Sequence, residues 1–183
     1  MSNKLRIIGG EWRSRLIAFD DAPGLRPTPA RVRETLFNWL QADVVNSRCL
    51  DLFAGSGALG FEAASRGARQ VVLVDNNPNT CRKLKENCTA LTAERIEVAQ
   101  AEVMQFIEKG APAFDLIFLD PPFGQGLVEP ICRQLADAGL LAAYGKIYIE
   151  TERKLALNDL PGHWQRLKYK QAGEVAYSLY QSQ

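Results

Sequence analysis

Histidine is almost missing from this chain of 183 residues: His163 is the only one. A nucleophilic triad or a histidine-based metal centre needs an imidazole set among partners, and His163 stands between Gly162 and Trp164. No metal site is expected, and His163 reads as structural. Cysteine is sparse too. Cys49, Cys81, Cys88 and Cys132 form no Cys-x-x-Cys pair. Cys81 and Cys88 fall in one helical stretch, about 10 Å apart along its axis, beyond the roughly 7 Å that a disulfide allows between Cα atoms. Reduced, mostly buried thiols follow. Also missing is any apolar run near the roughly 20 residues needed to cross a bilayer. The start, MSNKLRIIGGEWRSR, is polar and broken by Gly-Gly, unlike a secretory signal. These absences point to a cytoplasmic protein with no membrane partner. At 46% hydrophobic it can bury a sizeable core in one domain with at most a small extension.

Net charge is nearly absent, since 22 Lys and Arg against 21 Asp and Glu leave +1, but it is unevenly spread. Lys4, Arg6, Arg13, Arg15, Arg26, Arg31 and Arg33 face only Glu11, Asp20 and Asp21 in residues 1–33. That arm carries +4 and the remainder −3. A basic arm on a slightly acidic body fits a polyanionic partner, although solvated surface charge explains it equally well. Trp12 and Phe19, interleaved among the arginines, suit base stacking.

What is present alternates. RIIGGEWRSRLIAF reads as a hairpin of two short strands. In PGLRPTPARV, Thr28 is the expected N-cap and Pro29 the first helical residue. Val32, Leu36, Trp39 and Leu40 then recur at helical spacing. From about Asn46, strands RCLDLFA, QVVLVD, RIEVAQ, DLIFLD and KIYIE alternate with helical stretches, including one opened by Pro78. Near-continuous apolar strands between helices imply a parallel sheet covered on both faces. The tail, WQRLKYKQAGEVAYSLYQ, reads as two antiparallel strands. The chain divides into a basic extension, residues 1–45, and a catalytic unit, residues 46–183. Because the sheet is complete without residues 1–24, their deletion is expected to leave a folded protein.

Gly55, Gly57 and Gly60 in DLFAGSGALG lie between a strand and a helix, and Asp75 lies at the end of the next strand. The spacing satisfies a dinucleotide fingerprint. Glycines admit close approach of a ligand, and a carboxylate at that strand tip can accept both hydroxyls of a ribose. A nicotinamide dinucleotide would bring a pyrophosphate. S-adenosyl-L-methionine would bring a sulfonium and an ammonium, which the charge of Asp51 favours, whereas that charge would be less welcome beside a pyrophosphate.

The segment LIFLDPPFG runs from buried strand to Asp120, Pro121, Pro122 and Phe123. Neither proline has an N–H, and the residue before each is held extended, so the segment presents carbonyls on a stiff backbone. A nucleobase amine is a poor nucleophile because its lone pair is delocalised. Rigid acceptors for its two hydrogens, such as the Asp120 carboxylate and a proline carbonyl, favour a pyramidal nitrogen. Phe123 supplies a ring for the extruded base. The segment reads as a clamp for a planar amine.

With RIIGGEWRSRLI, LRPTPARVRETLFNWL, LDLFAGSGALGFEAASRGA and FLDPPF all present, nearly the whole chain resembles the RsmD family, bacterial enzymes that methylate guanine N2 in 16S ribosomal RNA of the small subunit. The resemblance implies an α/β, Rossmann-like class I methyltransferase fold. That is a seven-stranded, mostly parallel sheet with an antiparallel C-terminal hairpin, plus the N-terminal hairpin-and-helix extension. It also implies S-adenosyl-L-methionine as cofactor, held by Asp51, Phe53, Gly55, Ser56, Gly57, Asp75 and Asn76. Glu102 stands where the family often has Asp or Asn near the adenine, and Val103 offers a backbone N–H there. Asp120, Pro121, Pro122 and Phe123 become the target clamp, and Arg6, Arg13, Arg26, Arg31 and Arg33 the contacts to RNA. A monomer is expected, since the acceptor is large and needs an open face. The competing readings are a DNA adenine-N6 methyltransferase, a glutamine methyltransferase of release factors, a nicotinamide-dependent oxidoreductase and a non-catalytic RNA-binding module.

Overall fold

The computed structural model describes residues 2–21 and 25–183. Two strands, β1 (Ser2–Arg6) and β2 (Leu16–Asp20), pair antiparallel, and helix α1 (Ala30–Trp39) follows. Then come β3 (Arg48–Asp51), α2 (Ala58–Ser65), β4 (Gln70–Asp75), α3 (Pro78–Leu91), β5 (Ile96–Gln100), α4 (Val103–Lys109), β6 (Phe114–Leu119), α5 (Val128–Asp137), β7 (Leu141–Glu152), β8 (Trp164–Ala172) and β9 (Val175–Ser182). The large sheet has the seven strands expected, in the order β5-β4-β3-β6-β7-β9-β8. Its first five strands are parallel, and β9 and β8 close it antiparallel.

Covering both faces explains the unbroken apolar strands. Side chains alternate across β6. Leu116 and Phe118 join Leu36, Phe37, Phe61 and Leu84 on the face of α1, α2 and α3. Ile117 and Leu119 join Ile107, Ile131 and Leu135 on the face of α4 and α5. The helix opened by Pro78 is capped by Asn77, whose side chain accepts from the N–H groups of Asn79 and Thr80. All four cysteines are free thiols. No helix among the described residues is long and apolar enough to cross a membrane.

The N-terminal segment departs from its reading. Helix α1 starts at Ala30, with Pro29 in the cap position and no side-chain cap. Thr28 is buried instead, and its carbonyl accepts from Arg33 Nε at 3.1 Å. Trp12 and Phe19, expected to stack on bases, are 4% and 9% exposed and belong to the core with Leu5, Ile7 and Ile17. Asn87 on α3 imitates a neighbouring strand, accepting from Ala18 N at 3.0 Å and donating to Ala18 O at 2.7 Å. The hairpin thus packs on the catalytic unit rather than standing off it as an arm.

Candidate active site

Strand order reverses at β3, whose neighbours are β4 and β6. In an open α/β sheet the crevice at that switch point, beyond the carboxyl ends of the strands, is where ligands bind. Asp51 ends β3, Asp75 ends β4, and Asp120 follows β6, so the three predicted acids share this one edge.

Between β3 and α2 the chain turns through Gly55 at φ 51° and Gly57 at φ 79°, left-handed values that favour glycine. A Cβ on Gly55 would lie 2.6 Å from Leu25 Cδ1, so the segment carrying Leu25 and Arg26 lies over this loop. A cleft of about 380 Å³ opens here, lined by Phe19, Leu25, Gly55, Asn77 and Leu84 among others. Ser56 is buried, and its Oγ accepts from Ala58 N at 3.3 Å. Phe53 is half-buried beside it.

The Asp75 carboxylate is set by backbone on both sides. Gly55 N donates to its Oδ2 at 3.0 Å and Asn77 N to its Oδ1 at 2.9 Å. A carboxylate has about four acceptor positions, so capacity for two hydroxyls remains. Asn76 turns aside and donates to Glu102 Oε1 at 2.8 Å. Glu102 occupies the cap position of α4 without a side-chain cap bond, and the Val103 N–H lies in the first turn, where a helix has no partner of its own for it.

Asp51 is 2% exposed and accepts from Gly60 N at 3.2 Å. Burial, more than the nearby Asp75 charge, pushes its carboxyl up to about 7 against the restraint of backbone N–H donors. Asp120 is held well above the usual carboxylate range by burial first, then by Glu150 and Asp51. No described cation pairs with Asp51, Asp120 or Glu150. An acidic pocket without a base suits a cationic ligand and is unsuited to a pyrophosphate.

Beyond Asp120, Pro121 is buried, Pro122 is exposed, and the Phe123 ring is 43% exposed on the same edge. Sequence reasoning missed what steadies this segment. Gly124 N donates to Glu152 Oε1, and Glu150 lies beside Asp120 on β7. The available signal was position: a Glu in the middle of a sheet covered on both faces has no solvent side to occupy.

The predicted RNA contacts do not stay together. Arg26 and Arg31 are exposed, the former beside the glycine loop. Arg33 is 4% exposed and donates to Thr28 O, to Arg6 O at 3.0 Å and to Glu62 Oε2 at 3.5 Å. Its Nε and Nη1 are committed inside the fold, which sets Arg33 apart from the exposed Arg26 and Arg31. Arg13 is exposed but follows Trp12, whose N–H bonds Ser65 Oγ at the far end of α2 and whose ring lies under Arg95, just before β5. That is the opposite edge of the sheet from Asp120, and Arg6, bonded to Ser14 O at 3.2 Å, sits toward it. Among the described residues no cluster of His, Cys, Asp and Glu could hold a metal ion.

A doubly covered sheet in this order, with a glycine loop after its first strand and a proline-stiffened acid after its fourth, defines an S-adenosylmethionine-dependent methyltransferase of class I. The family described as conserved hypothetical protein 95 matches residues 5–181. A ribosomal RNA small subunit methyltransferase D from Escherichia coli is 46% identical over 98% of this chain and 91% of its own. Its counterpart from Haemophilus influenzae is 42% identical over 98% and 94%. A solved Escherichia coli structure, 43% identical, superposes with a TM-score of 0.93 over 99% of both chains. The chain belongs to the family of these ribosomal RNA small subunit methyltransferases.

Proposed function

We propose that this enzyme transfers a methyl group to the exocyclic N2 of one guanine in 16S ribosomal RNA, acting as a monomer on the small ribosomal subunit. The observation that carries the reading is the Asp120–Phe123 segment. It presents an acid, a proline carbonyl and an exposed ring on the edge that also carries the glycine loop and Asp75.

The residues present fit S-adenosylmethionine. Asp75, oriented by two backbone donors, would take the ribose hydroxyls; the loop through Gly55, Ser56 and Gly57 would lie against the cofactor; Asp51 would offset its positive charge. When bound, the cofactor supplies an electrophilic methyl carbon. The protein prepares the other partner. Asp120 and the Pro121 carbonyl hold the amine hydrogens, which turns the nitrogen lone pair out of conjugation. Phe123 fixes the plane of the base. The nitrogen lone pair would take the methyl carbon as its bond to the cofactor sulfur breaks, and one N2 proton would then pass to the Asp120 carboxylate, whose raised affinity for protons suits that task. Arg26, exposed beside the glycine loop, and the exposed Arg31 at the start of α1 would meet phosphates.

Radiolabelled methyl transfer tests the reading. Small subunits lacking the modification, free ribosomal RNA and duplex DNA are offered in parallel. Label in the RNA, recovered as N2-methylguanine after digestion, is expected. Label in DNA adenine alone would replace this reading with the adenine-N6 one.

A further inference from the structure

Glu150 is 6% exposed on a strand covered from both sides, and no described cation pairs with it. Three relationships define its place. The last register pair of β6 and β7 is Leu119 with Ile149, so the next position along these parallel strands sets Asp120 beside Glu150. Tyr148 lies on the same face of β7, and its hydroxyl donates to Glu150 Oε2 at 2.8 Å. Tyr177 on β9 lies opposite Glu150, its ring 6.3 Å from that of Tyr148. One carboxylate oxygen is therefore committed. The other, Oε1, has no partner among the described residues, yet no fully buried side-chain oxygen is left without one. Oε1 consequently reaches accessible space, beside the clamp.

An ionised carboxylate offers acceptors only. The edge of guanine that carries the N2 amine also carries N1–H, so two donor groups stand side by side. Adenine differs there: next to its amine is the N1 lone pair. Two adjacent carboxylates match the guanine edge and oppose the adenine edge. Donors arriving from the base also favour the ionised forms of both acids.

We propose that Glu150 Oε1 accepts the N1–H of the target guanine while Asp120 and the Pro121 carbonyl hold its N2 amine, so that Glu150 admits guanine and refuses bases with an N1 lone pair. Tyr148 is a positioning residue that fixes the other oxygen. The proposal rests on the guanine-N2 reading above and adds the residue that selects the base.

The test uses 2-aminopurine at the target nucleotide of a reconstituted small subunit. That base keeps the amine of guanine but has a lone pair at N1. The ratio of kcat/KM for guanine to that for 2-aminopurine is measured within each enzyme preparation, so loss of folded protein cancels. A site built to bond a substrate N–H discriminates strongly against an analogue without it, and a wild-type ratio of at least about a hundred is expected. Glu150→Gln, whose amide can turn to donate, should bring that ratio down at least about tenfold. Tyr148→Phe keeps the carboxylate and loses one neutral hydrogen bond, so a drop of roughly three- to tenfold is expected. A wild-type ratio near one overturns the proposal. So does a high ratio that neither variant moves, which would place the discrimination elsewhere. Wild-type enzyme that transfers nothing to guanine in any RNA defeats the methyl-transfer reading itself, an outcome distinct from both.

Discussion

Arg33 Nη1 meets Glu62 Oε2 at 3.5 Å with both side chains buried, and this pair ties the N-terminal segment to the catalytic unit. Glu62 is fully buried, accepts from Ile8 N at 2.9 Å and Gly9 N at 2.8 Å, and pairs with Arg66 at 2.8 Å. Arg33 in turn closes on the carbonyls of Thr28 and Arg6. Removing one partner of such a buried pair strands the other. Glu62→Ala should lower unfolding free energy by about 3–5 kcal/mol, read by denaturant unfolding; a loss near zero would show the pair to be ornamental. Deleting residues 1–24 should unfold the protein, contrary to expectation from the strand pattern alone. It uncovers the core around Ile17 and leaves Glu62 without its backbone donors.

Asp75→Ala should weaken S-adenosylmethionine binding by about 1–3 kcal/mol, the scale of lost hydrogen bonds to a charged group. Calorimetry reads it directly. An unchanged affinity would remove Asp75 from the cofactor site, and tighter binding of NADH than of S-adenosylmethionine by the wild type would restore the oxidoreductase reading.

Asp51 makes stability and cofactor affinity move oppositely with pH. Its folded value, about 7, lies above its ordinary one, so the folded state holds the extra proton between them. The stability contribution is therefore fully present at low pH and is lost as pH rises through about 7. Over the same range the ionised Asp51 should strengthen binding of the cationic cofactor. Asp51→Asn should flatten both profiles. Binding that follows the same pH curve in the variant would assign the effect to another group.

Exposed arginines at the two edges of the sheet should behave differently towards RNA. Arg26→Ala and Arg31→Ala are each expected to reduce the log–log salt slope of binding by about 0.7–0.9. Arg13→Ala, at the opposite edge, should leave it unchanged. A wild-type slope in all three variants would mean that none of these residues touches a phosphate.

The parts of this molecule that follow periodic rules were readable in its residues. Apolar strands between helices defined the parallel sheet. Gly55, Gly57 and Asp75 and the Asp120–Phe123 segment were picked out at strand tips that the fold brings to one edge. What escaped depended on which face was covered. Trp12 and Phe19 looked like free aromatic rings because a hairpin pattern does not say what lies under it; α3 and its Asn87 do. Arg33 looked like its neighbours Arg26 and Arg31 because only two residues along α1 separate exposed Arg31 from the position that reaches Glu62. Glu150 drew no notice at the end of an apolar strand, but β7 is flanked by β6 and β9 and covered on both faces, so its side chain is interior. Long-range packing decides these cases, and local pattern does not carry it.

The central claim is that Asp120 acts on the amine and not on the cofactor. It is tested most directly by measuring turnover and S-adenosylmethionine affinity together for Asp120→Ala on unmodified small subunits. Turnover should fall about a hundredfold or more, as when a preorganised transition-state contact is removed, with cofactor affinity nearly unchanged. A variant that keeps more than about a third of wild-type turnover, far short of that loss, would contradict the clamp.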